Sequence, residues 1–177
     1  MNRSIVYIGA KPNFEKNHAG GQSTAAQGLI EYSQDNDIAL TIIDSAQESF
    51  PVPTLSQRIK KAAGRFVKLV NTLRKKKIDK VIIFCSGGFS FYEKSALALV
   101  SVIFGVETLL FVRSGHFMTE CSHSRAKRIL AGLLLKIPHE VGAQGQSWKK
   151  FYQQLGVPSK KIVVVRNWLA SHRCVTQ

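Results

Sequence analysis

Six short apolar runs, at residues 4–9, 38–44, 80–85, 108–112, 140–143 and 161–165, recur along the chain and are separated by polar loops and stretches of helical periodicity. Runs this short, continuous rather than alternating, read as strands buried on both faces, and their regular exchange with helices requires a parallel sheet covered by those helices. The expected fold is therefore α/β, a Rossmann-like doubly wound parallel sheet with helices on both faces. The spacing predicts helices from about Ser23, at 55–76, at 92–104, at 122–136 and at 148–155. Pro51 and Pro53 keep the loop before the second helix from being helical throughout.

In such a sheet ligands gather beyond the carboxyl ends of the strands, at the point where the winding reverses. Three post-strand loops carry residues suited to that position. Gly20 and Gly21, followed by Gln22 and Ser23, lie where the first strand hands over to a helix. The first N–H groups of a helix lack internal partners and carry the positive end of its dipole, so a phosphate suits them, and glycine admits it without a Cβ in the way. The plain alternative is a helix start with an open entry loop. The spacing is not G-x-G-x-x-G, because ten residues, Ala10 to Ala19, separate Gly9 from Gly20. Gly87 and Gly88 repeat the strand-to-glycine-to-helix junction after the third run, and His116 lies in the loop after the fourth. All three loops would converge on one crevice. Cys85 next to Ser86-Gly87-Gly88 invites comparison with a nucleophile elbow, but G-x-S-x-G is not met. His18, beside the first glycines, reads as a solvated loop residue, and His123, His139 and His172 show no ligand spacing.

A chain of 177 residues with 45% hydrophobic content suits one globular domain. No apolar run is long enough for a membrane span, and the N-terminus lacks a signal peptide pattern, so a cytoplasmic protein is expected. Three cysteines, Cys85, Cys121 and Cys174, form no C-x-x-C pair, which fits reduced thiols rather than a disulfide or zinc site. The formal charge of +14, from 25 Lys and Arg against 11 Asp and Glu, implies attraction to a polyanion. In the basic helices at 58–77 and 125–136 cationic and apolar residues interleave at helical spacing. That favours salt-sensitive docking on anionic membrane, at the inner face of the cytoplasmic membrane, over a solvated face. Nucleic acid is disfavoured, because aromatic residues are not interleaved with the basic ones beyond Phe66 and 148–152.

The tail specifies more. Ser147-Trp148-Lys149-Lys150-Phe151-Tyr152-Gln153-Gln154-Leu155-Gly156-Val157-Pro158, followed by Lys161-Ile162, an apolar strand and Asn167-Trp168, resembles the end of the N-terminal domain in family 4 retaining glycosyltransferases of the GT-B fold. There a helix closing in Leu-Gly-Val-Pro leads through Lys-Ile to a strand and then to an Asn opening the interdomain linker. The order of elements, the early Gly20-Gly21 and the His116 loop are similar as well, so the resemblance spans essentially the whole chain.

The resemblance implies a two-domain enzyme that moves a sugar from a nucleotide-diphosphate donor to an envelope or lipid-linked glycan acceptor, with this half chiefly holding the acceptor. Carried over by position, Gly20 and Gly21 reach the donor phosphates, Gln22 contacts donor or acceptor, and His116 lies near the transferred sugar. The nucleotide-diphosphate sugar is a co-substrate; no cofactor and no metal are expected. Residues 1–168 then form the N-terminal domain and 169–177 the start of a linker. Two departures stand out. Arg166 occupies the place of the usual Pro before the Asn, and no acidic residue follows Asn167, so the second domain's E-x7-E-like pair is missing. The chain is accordingly expected to be inactive without a C-terminal donor-binding domain, supplied in cis or in trans. The competing expectation is a noncatalytic basic α/β module that binds a polyanion or a protein partner.

Overall fold

The structure, a computed structural model, describes residues 3–12, 21–46 and 54–165. Gly20 and the Asn167-Trp168 end of the specific tail lie outside these residues. The chain divides into two compact units that meet in sequence between Asp79 and Lys80.

The first unit contains β1 (Ser4–Gly9), α1 (Gly21–Asp35), β2 (Ala39–Asp44) and α2 (Leu55–Lys75), with β1 and β2 paired in parallel from Ser4 opposite Ala39 to Gly9 opposite Asp44. Val6, Tyr7 and Ile8 are fully buried, as expected of a continuous apolar strand, and Ala25 and Ala26 give α1 a small-residue face that is likewise buried. The Asp44 carboxylate ends β2 by accepting the backbone N–H groups of Lys11 at 3.0 Å and Ala46 at 2.8 Å, which orders the loops at the carboxyl ends of both strands. A reciprocal capping box begins α2: Thr54 Oγ1 accepts from Gln57 N, while Gln57 Oε1 accepts from Thr54 N at 3.0 Å. The apolar residues of α2 do not all face inward: Leu69 is buried, whereas Ile59 and Val67 are 56% and 60% exposed.

The second unit contains β3 (Lys80–Cys85), α3 (Phe89–Ile103), β4 (Glu107–Val112), α4 (His116–His123), α5 (Arg125–Leu134), β5 (Glu140–Ala143), α6 (Gln146–Gln154) and β6 (Ile162–Val164). Its four strands pair in parallel in the order β3-β4-β5-β6. Six parallel strands exchanging with helices make the α/β, Rossmann-like fold that the apolar runs predict. Phe84 on β3 meets Phe111 on β4 edge to face at 5.6 Å, and Gly142 on β5 lets the Phe111 ring lie against its backbone: a Cβ there would be 2.6 Å from the ring. At the amino ends of the strands Lys80 pairs with Glu140 at 2.6 Å and with Glu107 at 3.8 Å.

Three helices differ from the sequence reading. α3 starts at Phe89 rather than Tyr92, directly after Gly88, whose φ of +60° only glycine adopts at ease. The basic helix expected at 122–136 is α5, shorter at 125–134, and a separate helix, α4, precedes it. Ser124, extended at φ −142°, ψ 113°, separates them and caps α5 by accepting Lys127 N at 3.3 Å. His116, expected in a loop, is the first residue of α4. At the other end of the unit, Leu-Gly-Val-Pro has a physical explanation. Gly156, at φ +81°, donates to Gln153 O at 2.9 Å and Val157 donates to Tyr152 O at 3.0 Å, the two bonds of a Schellman cap on α6. Val157 is buried beneath it.

Candidate functional site

The carboxyl ends of β3, β4 and β5 each pass through a short loop into a helix. Arg113, just past β4, donates its backbone N–H to Cys85 O at 2.8 Å, and Gln144, just past β5, donates Nε2–H to Val112 O at 3.1 Å. These bonds stitch the three strand ends side by side. The Arg113 guanidinium lies over the Phe111 ring at 5.0 Å and the Phe84 ring at 5.6 Å, a cation–π arrangement that holds the loop down on the sheet.

Of the six residues singled out in the sequence, Gly87, Gly88 and His116 belong to this rim. What joins them is a residue the sequence reading passed over. Glu120, one turn into α4, accepts the backbone N–H of Gly88 at 2.9 Å through Oε2, and its Oε1 is 3.3 Å from His116 Nε2, an ion pair whenever the imidazole is protonated. The carboxylate is 19% exposed and the imidazole 73%. A Cβ at Gly87 would sit 3.1 Å from Glu120 Oε1, so glycine there makes room for the carboxylate. No acidic residue occupies the first turn of α3. Glu120 supplies from a neighbouring helix the negative charge that the helix dipole favours at that end.

Gly21 is the first residue of α1 in the first unit, as the strand-to-helix handover predicts, and Gln22 follows it in the helix. Gly20 precedes the described residues, and the phosphate role read for the pair rests on sequence. A groove of about 370 Å³ runs along α2, lined by Gly64, Val67, Lys68, Asn71, Thr72, Lys75 and Lys76. None of the six sequence candidates lines it.

Cys85 ends β3 fully buried, and burial pushes its thiol up to about 12, with the Lys94 ammonium pulling weakly the other way. At neutral pH it is protonated and a poor nucleophile, which agrees with setting the hydrolase comparison aside. Cys121 is also buried; its thiol is raised first by burial and then by the Glu120 carboxylate. Glu93 and Lys94 on α3 are both buried and pair at 3.2 Å. Among the described residues no group of three or more His, Cys, Asp and Glu side chains is placed to hold a metal ion.

No protein-family model matches the chain, and no curated protein matches it in sequence. Solved structures do match in fold. Anabaena HepE in complex with UDP and glucose superposes with a TM-score of 0.53 at 12% identity over 94% of this chain and 44% of its own. The same protein with UDP-glucose gives 0.53 at 12% over 93% and 43%. The lipopolysaccharide outer core galactosyltransferase WaaB, in its apo form, gives 0.54 at 14% over 92% and 45%. HepE and WaaB are glycosyltransferases of the GT-B fold. The chain thus spans somewhat less than half the length of these neighbours and shares the fold of that portion.

Proposed function

We propose that the chain is the N-terminal, acceptor-side half of a glycosyltransferase that moves a sugar from a nucleotide-diphosphate donor to an envelope or lipid-linked glycan acceptor. The observation that carries this is the near-complete alignment of its described fold with less than half of glycosyltransferases, one of them crystallised with UDP, glucose and UDP-glucose. The closing helix, with its Gly156 cap and following strand, supports the same reading from the sequence side.

In this reading Gly20 and Gly21 approach the donor phosphates at the start of α1, Gln22 contacts donor or acceptor, and His116 stands beside the transferred sugar. Gly87 and Gly88 shape the substrate side of the β3–α3 turn, where Glu120 holds the Gly88 N–H and faces the His116 ring. A nucleotide sugar is the co-substrate, and the donor-binding half comes from a C-terminal domain in cis or in trans.

The test begins with the coding frame beyond Gln177. The expected result is a second α/β domain in that frame or in a partner, and a completed protein that transfers sugar from a nucleotide diphosphate. His116→Ala in that protein should lower kcat by about a hundredfold or more if the imidazole sits at the reacting centre. A completed protein that binds no nucleotide sugar, or a His116→Ala variant with unchanged turnover, would sink the assignment or the role of His116 respectively.

A further inference from the structure

An amphipathic helix on a protein surface normally turns its apolar stripe inward. α5 does the opposite. Ala126, Ile129, Leu130 and Leu133, at i, i+3, i+4 and i+7, form one continuous stripe, and all four are exposed: Ile129 and Leu133 to 58%, Leu130 to 42%. The side packed on the unit is made of Ala131, Gly132 and, just beyond the helix, Leu135. Gly132 lies so close to the Leu155 carbonyl that a Cβ could not be accommodated without a shift. The inward contact is made by the small residues, and the large aliphatic ones are left outside.

The surroundings of that stripe are basic. Arg125, Lys127, Arg128 and Lys136 are all exposed, and residues 121–139 contain no Asp or Glu. We propose that α5 is a membrane-docking element: it lies in the plane of an anionic bilayer, with Ile129, Leu130 and Leu133 in the acyl boundary and Arg125, Lys127 and Lys136, which flank that stripe, on lipid phosphates. An acidic protein groove would satisfy the cations, and a second copy of the chain would cover the leucines. A second copy brings the same basic rim, however, so its charges repel, and the net charge of +14 makes that worse. A bilayer of anionic lipid satisfies both halves of the surface at once. The inference rests on the face of α5 and not on the transfer reaction.

The experiment is co-sedimentation of the chain with vesicles of phosphatidylglycerol and phosphatidylcholine, compared with vesicles of phosphatidylcholine alone. Binding should be confined to the anionic vesicles and should fall away in high salt. The double variants Ile129→Ser with Leu133→Ser and Arg125→Glu with Lys127→Glu should each weaken it by about tenfold or more. Their melting temperatures should match the parent, because all four side chains are exposed. Equal binding to both vesicle types, or undiminished binding by the serine variant, overturns the proposal. So does a dimer in lipid-free solution that the serine variant dissolves while vesicle binding survives, since the face would then serve a second copy. Failure to bind a nucleotide sugar leaves this inference standing, and failure to bind vesicles leaves the glycosyltransferase reading standing.

Discussion

The Glu120 carboxylate accepts the backbone N–H of Gly88 at 2.9 Å, so a side chain of α4 caps the amino end of α3. With no acidic residue in its own first turn, α3 depends on this bond for charge complementarity at that end. Glu120→Ala leaves the N–H without its anionic acceptor and should destabilise the chain by about 1–2 kcal/mol in urea unfolding. Glu120→Gln keeps an acceptor oxygen and should lose less than half as much. Equal losses in the two variants would show that the charge, and not the hydrogen bond, matters.

Two helical glycines should respond to alanine with opposite signs. At Gly132 the new Cβ meets the Leu155 carbonyl, backbone that cannot swing aside. Gly132→Ala should therefore cost about 1–3 kcal/mol through overpacking. Gly64, exposed within α2, has nothing within 4 Å of a built Cβ. Gly64→Ala should instead raise stability by about 0.5–1 kcal/mol, because glycine loses more backbone entropy in a helix. Thermal melts of the two variants decide the matter.

The buried thiol of Cys85 ties stability to alkaline pH. Its folded pKa, about 12, lies above the ordinary value of 9.0, so its contribution is whole below pH 9.0 and disappears as pH climbs through the folded value. Over that window the slope from this group should approach about 1.4 kcal/mol per pH unit, because the unfolded chain has released a proton that the folded chain keeps. Tyr152, raised well above its ordinary value by burial, adds loss in the same direction. Cys85→Ala should flatten the fall in urea midpoint above pH 9.0, and an unchanged slope would remove Cys85 from the account.

Lys94 and Glu93, adjacent on α3, are buried together, with side chains 3% and 2% exposed. Lys94→Ala removes this buried hydrogen-bonded pair and should destabilise the chain by about 1–3 kcal/mol near neutral pH. The double variant Lys94→Ala with Glu93→Gln should lose less than the sum of the two single variants, because either change alone already removes the pair. Chemical denaturation of the single and double variants gives the coupling.

The strands were legible because burial on both faces leaves an uninterrupted apolar signature: β1, β3 and β5 start and stop at the residues the sequence indicates. α3 was harder, because Phe89 and Ser90 read as loop until Gly88 is seen at positive φ, which lets the helix begin at once. The division between α4 and α5 was hidden by continuous helical periodicity across Ser124. The available signal was a serine three residues before Lys127, able to cap its N–H. Glu120 lies outside every helix that the spacing predicts, which leaves its partnership with Gly88 unmarked in the sequence. Its isolation as the one acidic residue between Glu107 and Glu140 was the clue. On α5 the inner face is marked by Ala131 and Gly132, small enough for backbone contact, and by Leu135 beyond the helix, whereas Leu130 and Leu133 are outside.

The seating of Gly132 on the Leu155 carbonyl also governs how the chain behaves in a test tube. With that side of α5 turned inward, Ile129 and Leu133 face water, and the dissolved molecule carries an oily ridge. Dilute buffer keeps such molecules apart through their shared positive charge; sulfate, which screens that charge and strengthens apolar association, should drive them together and lower the solubility limit.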